Sequence, residues 1–190
     1  MGADKALIEL DGGSLLRRAI GLLEPLSDAV LLACGSEPRY QDLGHPLALD
    51  RERGIGPLAG LAAGLEVATT EWCLAVACDM PRIGRGLLES LLERAHTEDL
   101  DICLSRGERG LEPLCAVYRQ TCLDPIHAAI AGGQRRMVSF WRGSWAAERP
   151  PMRTGVIDLR RGGDSIDMTI NLNSPRDLEE ERRYRAEMGR

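Results

Sequence analysis

The sequence predicts an α/β protein, a three-layer sandwich with a mostly parallel sheet, formed by one domain over residues 1–190. Three observations carry this reading. Short apolar runs alternate with stretches whose apolar residues recur at helical spacing, the pattern of strand–helix–strand units. The run from Cys73 to Cys78 has no polar break, as expected of a strand covered on both faces. The apolar fraction is 44%, yet aromatic residues make up only 4% of the chain; such aliphatic richness suits helices packed on a sheet. Crossovers between parallel strands should be right-handed.

Taken in order, Leu7 to Leu10 is a short apolar piece closed by the turn residues Asp11-Gly12-Gly13. Ser14 is placed to cap a helix with Leu15, Leu16, Ala19, Ile20, Leu22 and Leu23 inward, and Pro25 ends it. Ala29 to Ala33 reads as a buried strand, Glu37 to Leu43 as a short helix, and Pro46 to Leu49 as a strand followed by Asp50. A glycine-punctuated loop from Arg51 leads to Pro57, which suits the first turn of a helix reaching about Ala68. The Trp72–Cys78 strand delivers Asp79 at its carboxyl end, and Pro81 stops the pairing. Arg85 to Thr97 is an amphipathic helix. Ile102 to Leu104 and Leu114 to Tyr118 are strands flanking a Gly107–Gly110 turn. Cys122 to Ala131 is a helix ended by Gly132-Gly133, and Met137 to Trp141 a further helical turn. Between Ser144 and Asp167 the pattern is weak. Thr169 to Leu172 reads as a last strand, and Ser174-Pro175-Arg176-Asp177 as a capping-box start to a polar helix.

Charge and composition exclude several classes. A net charge of −5 argues against a broad nucleic-acid or anionic-membrane surface. No apolar run approaches membrane-spanning length, and Asp4 and Lys5 come where a leader's apolar region would begin. The six cysteines include no C-x-x-C pair and mostly lie within apolar runs, as buried thiols of a reducing cytosol do. Neither a G-x-x-x-x-G-K-[ST] loop nor a G-x-G-x-x-G after a strand is present.

The candidates for chemistry gather at strand ends, where open α/β sheets bind ligands. Asp50 and Asp79 each follow a strand; if those strands are neighbours, two carboxylates face one crevice, and either is a seat for Mg²⁺. Plain turn-capping aspartates would look the same. Gly56-Pro57-Leu58-Ala59-Gly60 opens a helix whose free N–H groups suit an anion or a polar nucleotide edge, although a tight structural loop has the same composition. Lys5 is a point charge suited to phosphate oxygens, or else a solvated surface lysine. Asn171 and Asn173, two apart, share a face if the backbone is extended. They can then bond a metal, phosphate or hydroxyl, or simply belong to a turn ahead of the last helix.

Together these stretches resemble the molybdenum cofactor guanylyltransferases (MobA). Met1-Gly2-Ala3-Asp4-Lys5-Ala6-Leu7-Ile8 is similar to that family's M-G-x-D-K-x-L-L. Gly56 to Gly60 matches its G-P-L-A-G, and Cys78-Asp79-Met80-Pro81 its C-D-x-P. Glu112-Pro113-Leu114-Cys115-Ala116-Val117-Tyr118 resembles its [HE]-P-L-x-A-x-Y, and Asn171 to Leu178 its N-x-N-[ST]-P-x-D-L. The set runs in family order over nearly the whole chain. It implies a Rossmann-like nucleotidyltransferase fold that joins GMP from GTP to molybdopterin, or Mo-molybdopterin, with Mg²⁺ and release of pyrophosphate. The resemblance gives Lys5 the GTP phosphates, Asp50 the nucleoside end and Asp79 the Mg²⁺. Gly56, Pro57, Leu58 and Gly60 would line the pocket, and Asn171 and Asn173 border the pterin phosphate. A cytoplasmic location and transient contact with molybdenum insertion proteins and molybdoenzymes are implied as well.

The sequence departs from the family in two places. The family opens with a strand and loop, L-A-G-G-x-S-x-R, before the Met, so this chain reads as N-terminally incomplete relative to it. After Val30 stand Leu31, Leu32 and Ala33, where the family often has a polar residue. A non-catalytic homologue that holds molybdopterin or a partner enzyme is therefore an alternative. Molybdopterin cytidylyltransferases and sugar-phosphate nucleotidyltransferases share the fold and are further ones.

Overall fold

Alternating helices and strands of the computed structural model cover residues 4–142, 150–159 and 168–188, the residues described here. The strands are β1 (Glu9–Leu10), β2 (Gly13–Ser14), β3 (Leu32–Ala33), β4 (Leu47–Ala48), β5 (Trp72–Val76), β6 (Ile102–Gly107), β7 (Gly110–Arg119) and β8 (Thr154–Asp158). The α-helices are α1 (Leu15–Leu23), α2 (Pro57–Val67), α3 (Arg85–Thr97), α4 (Leu123–Ala131) and α5 (Pro175–Met188).

Four strands form the main sheet in the order β5-β7-β6-β8. β7 runs antiparallel to both neighbours, to β6 as its hairpin partner and to β5 across the sheet, while β6 and β8 are parallel. β3 and β4 form a separate parallel pair, and β1 and β2 a short hairpin. The hairpin turns on Asp11 (φ 53°) and Gly12 (φ 82°). An Asp-Gly pair with both residues left-handed matches the twist of a two-residue hairpin.

Alternate residues of the sheet feed two cores. On one face Ile102, Leu104, Ala116 and Tyr118 pack with Leu58, Leu61 and Leu65 of α2, Ile126 and Ala129 of α4, and Phe140. On the other, Cys103, Cys115 and Val117 pack with Leu87, Leu88 and Leu91 of α3. Helices on both faces of one sheet give the three layers that the sequence predicts. Both faces of β5 are covered too: Cys73 and Ala75 join the first core, Trp72, Leu74 and Val76 the second. Yet residues 72–79 are only half-buried. β5 pairs with β7 alone among the described strands, so its other edge is open.

Local signals account for the element ends. Ser14 caps α1 by accepting from the Arg17 N–H, and Pro57 opens α2. α5 begins with a reciprocal cap: Ser174 Oγ accepts from the Asp177 N–H at 3.2 Å, and Asp177 accepts from the N–H groups of Asn173 and Ser174 at 2.8 Å each. Three expectations need correction. Glu37 to Leu43 is one 3₁₀ turn at Gln41–Leu43, preceded by Tyr40 in the left-handed region, φ 65°. The apolar piece Leu7 to Leu10 begins at the end of a 3₁₀ turn over Lys5–Leu7 and is extended in β1 over Glu9–Leu10 only. Thr169 to Leu172 is a turn and an extended segment rather than a strand; Leu172 N–H donates to the Asp79 carbonyl at 2.9 Å. β8 was not expected; it lies in the weakly patterned stretch after Ser144.

Candidate active site

β5 ends at Val76 and the chain then turns through Cys78 and Asp79. This turn lies beside the N-terminal segment and the stretch ahead of α5. The Asp79 carbonyl accepts from Leu172 N–H, which fixes the Asn171–Asn173 stretch against the turn. Lys5 projects between the two. Its Nζ donates to Asn173 Oδ1 at 2.9 Å and stands 3.9 Å from Asp79 Oδ2. Three residues from three distant parts of the sequence thus meet at the carboxyl end of β5.

Lys5 is held in turn by its neighbour. Asp4 caps the 3₁₀ turn by accepting from the Ala6 N–H, and it also accepts from Tyr40 Oη at 2.6 Å and Arg39 Nη1 at 3.2 Å. Burial and this bond to Asp4 push the Tyr40 hydroxyl up to about 12, so it remains a donor at any physiological pH. The carboxylate of Asp4 is thus occupied by Ala6, Tyr40 and Arg39, while the Lys5 amine pairs with Asn173 and Asp79. The sequence alone left Lys5 open between a phosphate ligand and a solvated side chain; its amine is half-buried and paired.

Asp79 is 21% exposed. Burial raises its pKa above the ordinary aspartate value, and the charge of Lys5 opposes that shift. A partly desolvated carboxylate with one lysine beside it is short of positive charge. Among the described residues no group of three or more His, Cys, Asp or Glu side chains gathers as a metal cage. This donor set fits a hard cation that takes one protein carboxylate and completes its shell with water and phosphate oxygens, as Mg²⁺ does.

Asp50 forms a second locus. β4 pairs with β3, and β5 with β7, so the two aspartates do not follow neighbouring strands. Asp50 N–H donates to the Gly35 carbonyl at 3.0 Å. Its Oδ1 is buried without a hydrogen-bond partner among the described residues, and burial raises its pKa. A buried acceptor left unpaired is costly and is satisfied by a donor from outside. α2 passes this oxygen at Gly60, where a Cβ would stand 3.8 Å from Asp50 Oδ1 and 3.5 Å from Ala33 Cβ, ordinary contact distances.

The glycine loop divides by residue. Gly56 caps α2 with φ 85° and ψ −156°, a conformation essentially restricted to glycine. Gly56 and Pro57 are exposed, whereas Leu58 is fully buried in the core. Leu58 thus offers a ligand only its backbone. Asn171 turns back on its own segment, its Nδ2 donating to the Thr169 carbonyl at 3.2 Å, and it does not share Lys5 with Asn173. Sequence reasoning missed Asp4, Tyr40 and Arg39. The adjacent Asp4-Lys5 pair was visible, but nothing local links it to residues 35 and 36 positions away.

The sequence profile of the MobA-like NTP transferase domain matches residues 1–147. The molybdenum cofactor guanylyltransferase of Pseudomonas putida is 31% identical over 176 residues, covering 92% of this chain and 86% of that protein. The solved structure of molybdopterin-guanine dinucleotide biosynthesis protein A from Archaeoglobus fulgidus superposes with a TM-score of 0.76 at 22% identity, over 98% of this chain and 92% of that one. A Mycobacterium tuberculosis protein solved as a manganese complex superposes with a TM-score of 0.64 at 14% identity, over 94% and 91% of the two chains. The two structures share the fold, and one of them holds a divalent metal. With a profile matched over most of its length and a relative of this identity, the chain belongs to the family of MobA-like NTP transferase domains.

Proposed function

We propose that the chain transfers GMP from GTP to molybdopterin, or Mo-molybdopterin, with Mg²⁺, yielding the guanine dinucleotide form of the cofactor and pyrophosphate. The observation that carries this reading is the meeting of Lys5, Asp79 and Asn173 at the carboxyl end of β5. The 31% identity to a protein named for this activity supports the choice of nucleotide and acceptor.

Nucleotidyl transfer forms a bond between an acceptor phosphate oxygen and the α-phosphorus of the nucleotide, and breaks the bond from that phosphorus to pyrophosphate. Such a step needs alignment and charge neutralisation more than covalent help from the protein. Lys5 supplies a fixed positive charge to phosphate oxygens. Asn173 orients that amine and borders the acceptor phosphate, with Asn171 beside it. Asp50 accepts from a donor group at the nucleoside end, which satisfies its unpaired oxygen. Gly56, Pro57, Leu58 and Gly60 line the approach with backbone and small side chains. Mg²⁺, held by Asp79 when bound, supplies neutralisation of the phosphate charge. The domain spans the whole chain and works in the cytoplasm, where its thiols stay reduced; delivery of product brings transient contact with molybdenum insertion proteins and molybdoenzymes.

The test is product formation. Wild-type protein incubated with GTP, Mg²⁺ and molybdopterin should release pyrophosphate and form the dinucleotide, and CTP should not replace GTP. Asp79→Asn should lower turnover by 10²-fold or more, the scale of losing an electrostatic stabiliser. Turnover with CTP alone would move the chain to the cytidylyltransferases, and product absent with either nucleotide would favour the non-catalytic homologue.

A further inference from the structure

The C-terminal helix carries a charged cluster that the reaction does not use directly. Glu181 is fully buried and lies between two arginines: Arg82 Nε donates to its Oε2 at 2.6 Å and Arg185 Nε to its Oε1 at 2.7 Å. Arg82 comes three residues after Asp79, and its guanidinium stacks on Tyr184 at 3.8 Å. Arg185 spends its remaining nitrogens on two other segments. Nη2 donates to the Pro81 carbonyl at 2.7 Å and Nη1 to Asp11 Oδ2 at 2.6 Å. One guanidinium therefore joins the turn that carries Asp79, the hairpin that follows Lys5, and the helix that follows Asn173. Arg182, which donates to the Glu9 carbonyl at 3.2 Å, strengthens the second of these ties.

We propose that Arg185, held by buried Glu181, is a positioning residue that sets where Lys5, Asp79 and Asn173 stand relative to one another. Lys5 stands in a 3₁₀ turn ahead of β1, and Asp79 sits on a turn beyond its strand. Neither is fixed by sheet pairing. A planar guanidinium with three separate acceptors fixes both segments to a single helix at once. A lysine at position 185 keeps the charge but offers one nitrogen in place of a fork, so it cannot hold all three. Glu181 anchors one edge of this guanidinium through Oε1, while Arg82 holds its other oxygen, Oε2. The inference rests on the reading of Asp79 and Lys5 as ligands of a metal–nucleotide complex.

The test uses the full chain with Arg185→Lys and, as a stability-matched control, Arg119→Lys. Arg119 is a comparable charged hub, paired with Glu71, Asp99 and Asp101 and stacked on Trp72 at 4.4 Å, but it lies at the amino ends of β5 and β6, away from Asp79. Two readouts are made: the affinity for Mg·GTP by calorimetry, and the hydrogen-exchange rate of the Leu172 amide, which bonds the Asp79 carbonyl. Arg185→Lys should weaken Mg·GTP binding about tenfold or more, because small misplacements of positioned groups are costly. It should also speed Leu172 exchange about tenfold. Arg119→Lys should leave both within about twofold while lowering the melting temperature as much. Equal effects of the two variants, or a wild-type response in Arg185→Lys, would overturn the positioning role alone. Wild-type protein without Mg·GTP binding would instead overturn the proposed function, and the inference with it.

Discussion

Asp79 concentrates the electrostatics of the site in one side chain. Burial raises its pKa and Lys5 lowers it, and burial prevails. The folded state therefore holds this proton more tightly than the unfolded chain does. The ionised carboxylate costs stability above the ordinary aspartate range, and acidification relieves that cost. Metal binding runs the other way, because it needs the carboxylate. Affinity for Mg²⁺·GTP measured against pH should fall more steeply in the wild type than in Asp79→Asn above the ordinary aspartate value of 3.8, because the variant keeps only the titration of the nucleotide's own terminal phosphate, near pH ~6. Parallel profiles for the two proteins would mean that Asp79 is not the ligand. Asp50 was legible only in part. Its place after a strand was visible in the sequence. Its unpaired buried oxygen was not, since that depends on α2 lying against β3 through Gly60.

Elements that carry their own caps were the most legible. The starts of α1, α2 and α5 follow from Ser14, Pro57 and Ser174-Pro175, because capping is decided within four residues. Substituting Ser174→Ala should cost about 1 kcal/mol in urea unfolding, the usual worth of such a cap. Asp177 completes that cap and has a lowered pKa, chiefly through the Asn173 N–H. A lowered carboxylate pKa contributes stability that is present above the unfolded value and lost as pH falls through the folded one; Asp177→Asn should remove that part of the acid limb. Gly56→Ala should destabilise by about 1–3 kcal/mol, because its φ and ψ exclude a Cβ. Thermal unfolding with no shift would show that the loop relaxes. Elements without such local marks were missed. β8 has five residues, reading Thr-Gly-Val-Ile-Asp, and only Gly155 is fully buried. It is a strand because β6 offers a parallel edge, and no short-range pattern records that. The helix expected over Glu37–Leu43 fails at Tyr40, which is left-handed and whose hydroxyl bonds the distant Asp4.

At the scale of the molecule, the sheet separates two cores and brings β5, with Asp79 beyond it, to the margin of the larger one. The layer order was readable because α1 and α3 show an apolar stripe and the central strands apolar runs. The pairing β5-β7-β6-β8 was not, since strand order is a long-range property. The first core depends on large aromatic contacts: Phe140 lies 6.2 Å from Tyr118 and 4.6 Å from Trp141, ring centre to ring centre. Phe140 is 1% exposed, so Phe140→Ala should cost about 3–5 kcal/mol, measured by denaturant unfolding, while leaving the geometry around Lys5 in place. The site itself is assembled by contacts that span most of the chain. Lys5 meets Asn173, and Arg185 meets Asp11 and Pro81. Such charged pairs look like ordinary surface residues in sequence, and α5 accordingly reads there as a polar terminal helix.

The most direct test of the central claim is calorimetric titration of the full chain with GTP and with CTP, each with Mg²⁺, beside an Asp79→Ala variant. Selective binding of GTP that disappears in the variant is the predicted result. A folded wild-type chain that binds neither nucleotide, or binds both equally with and without Asp79, would contradict it.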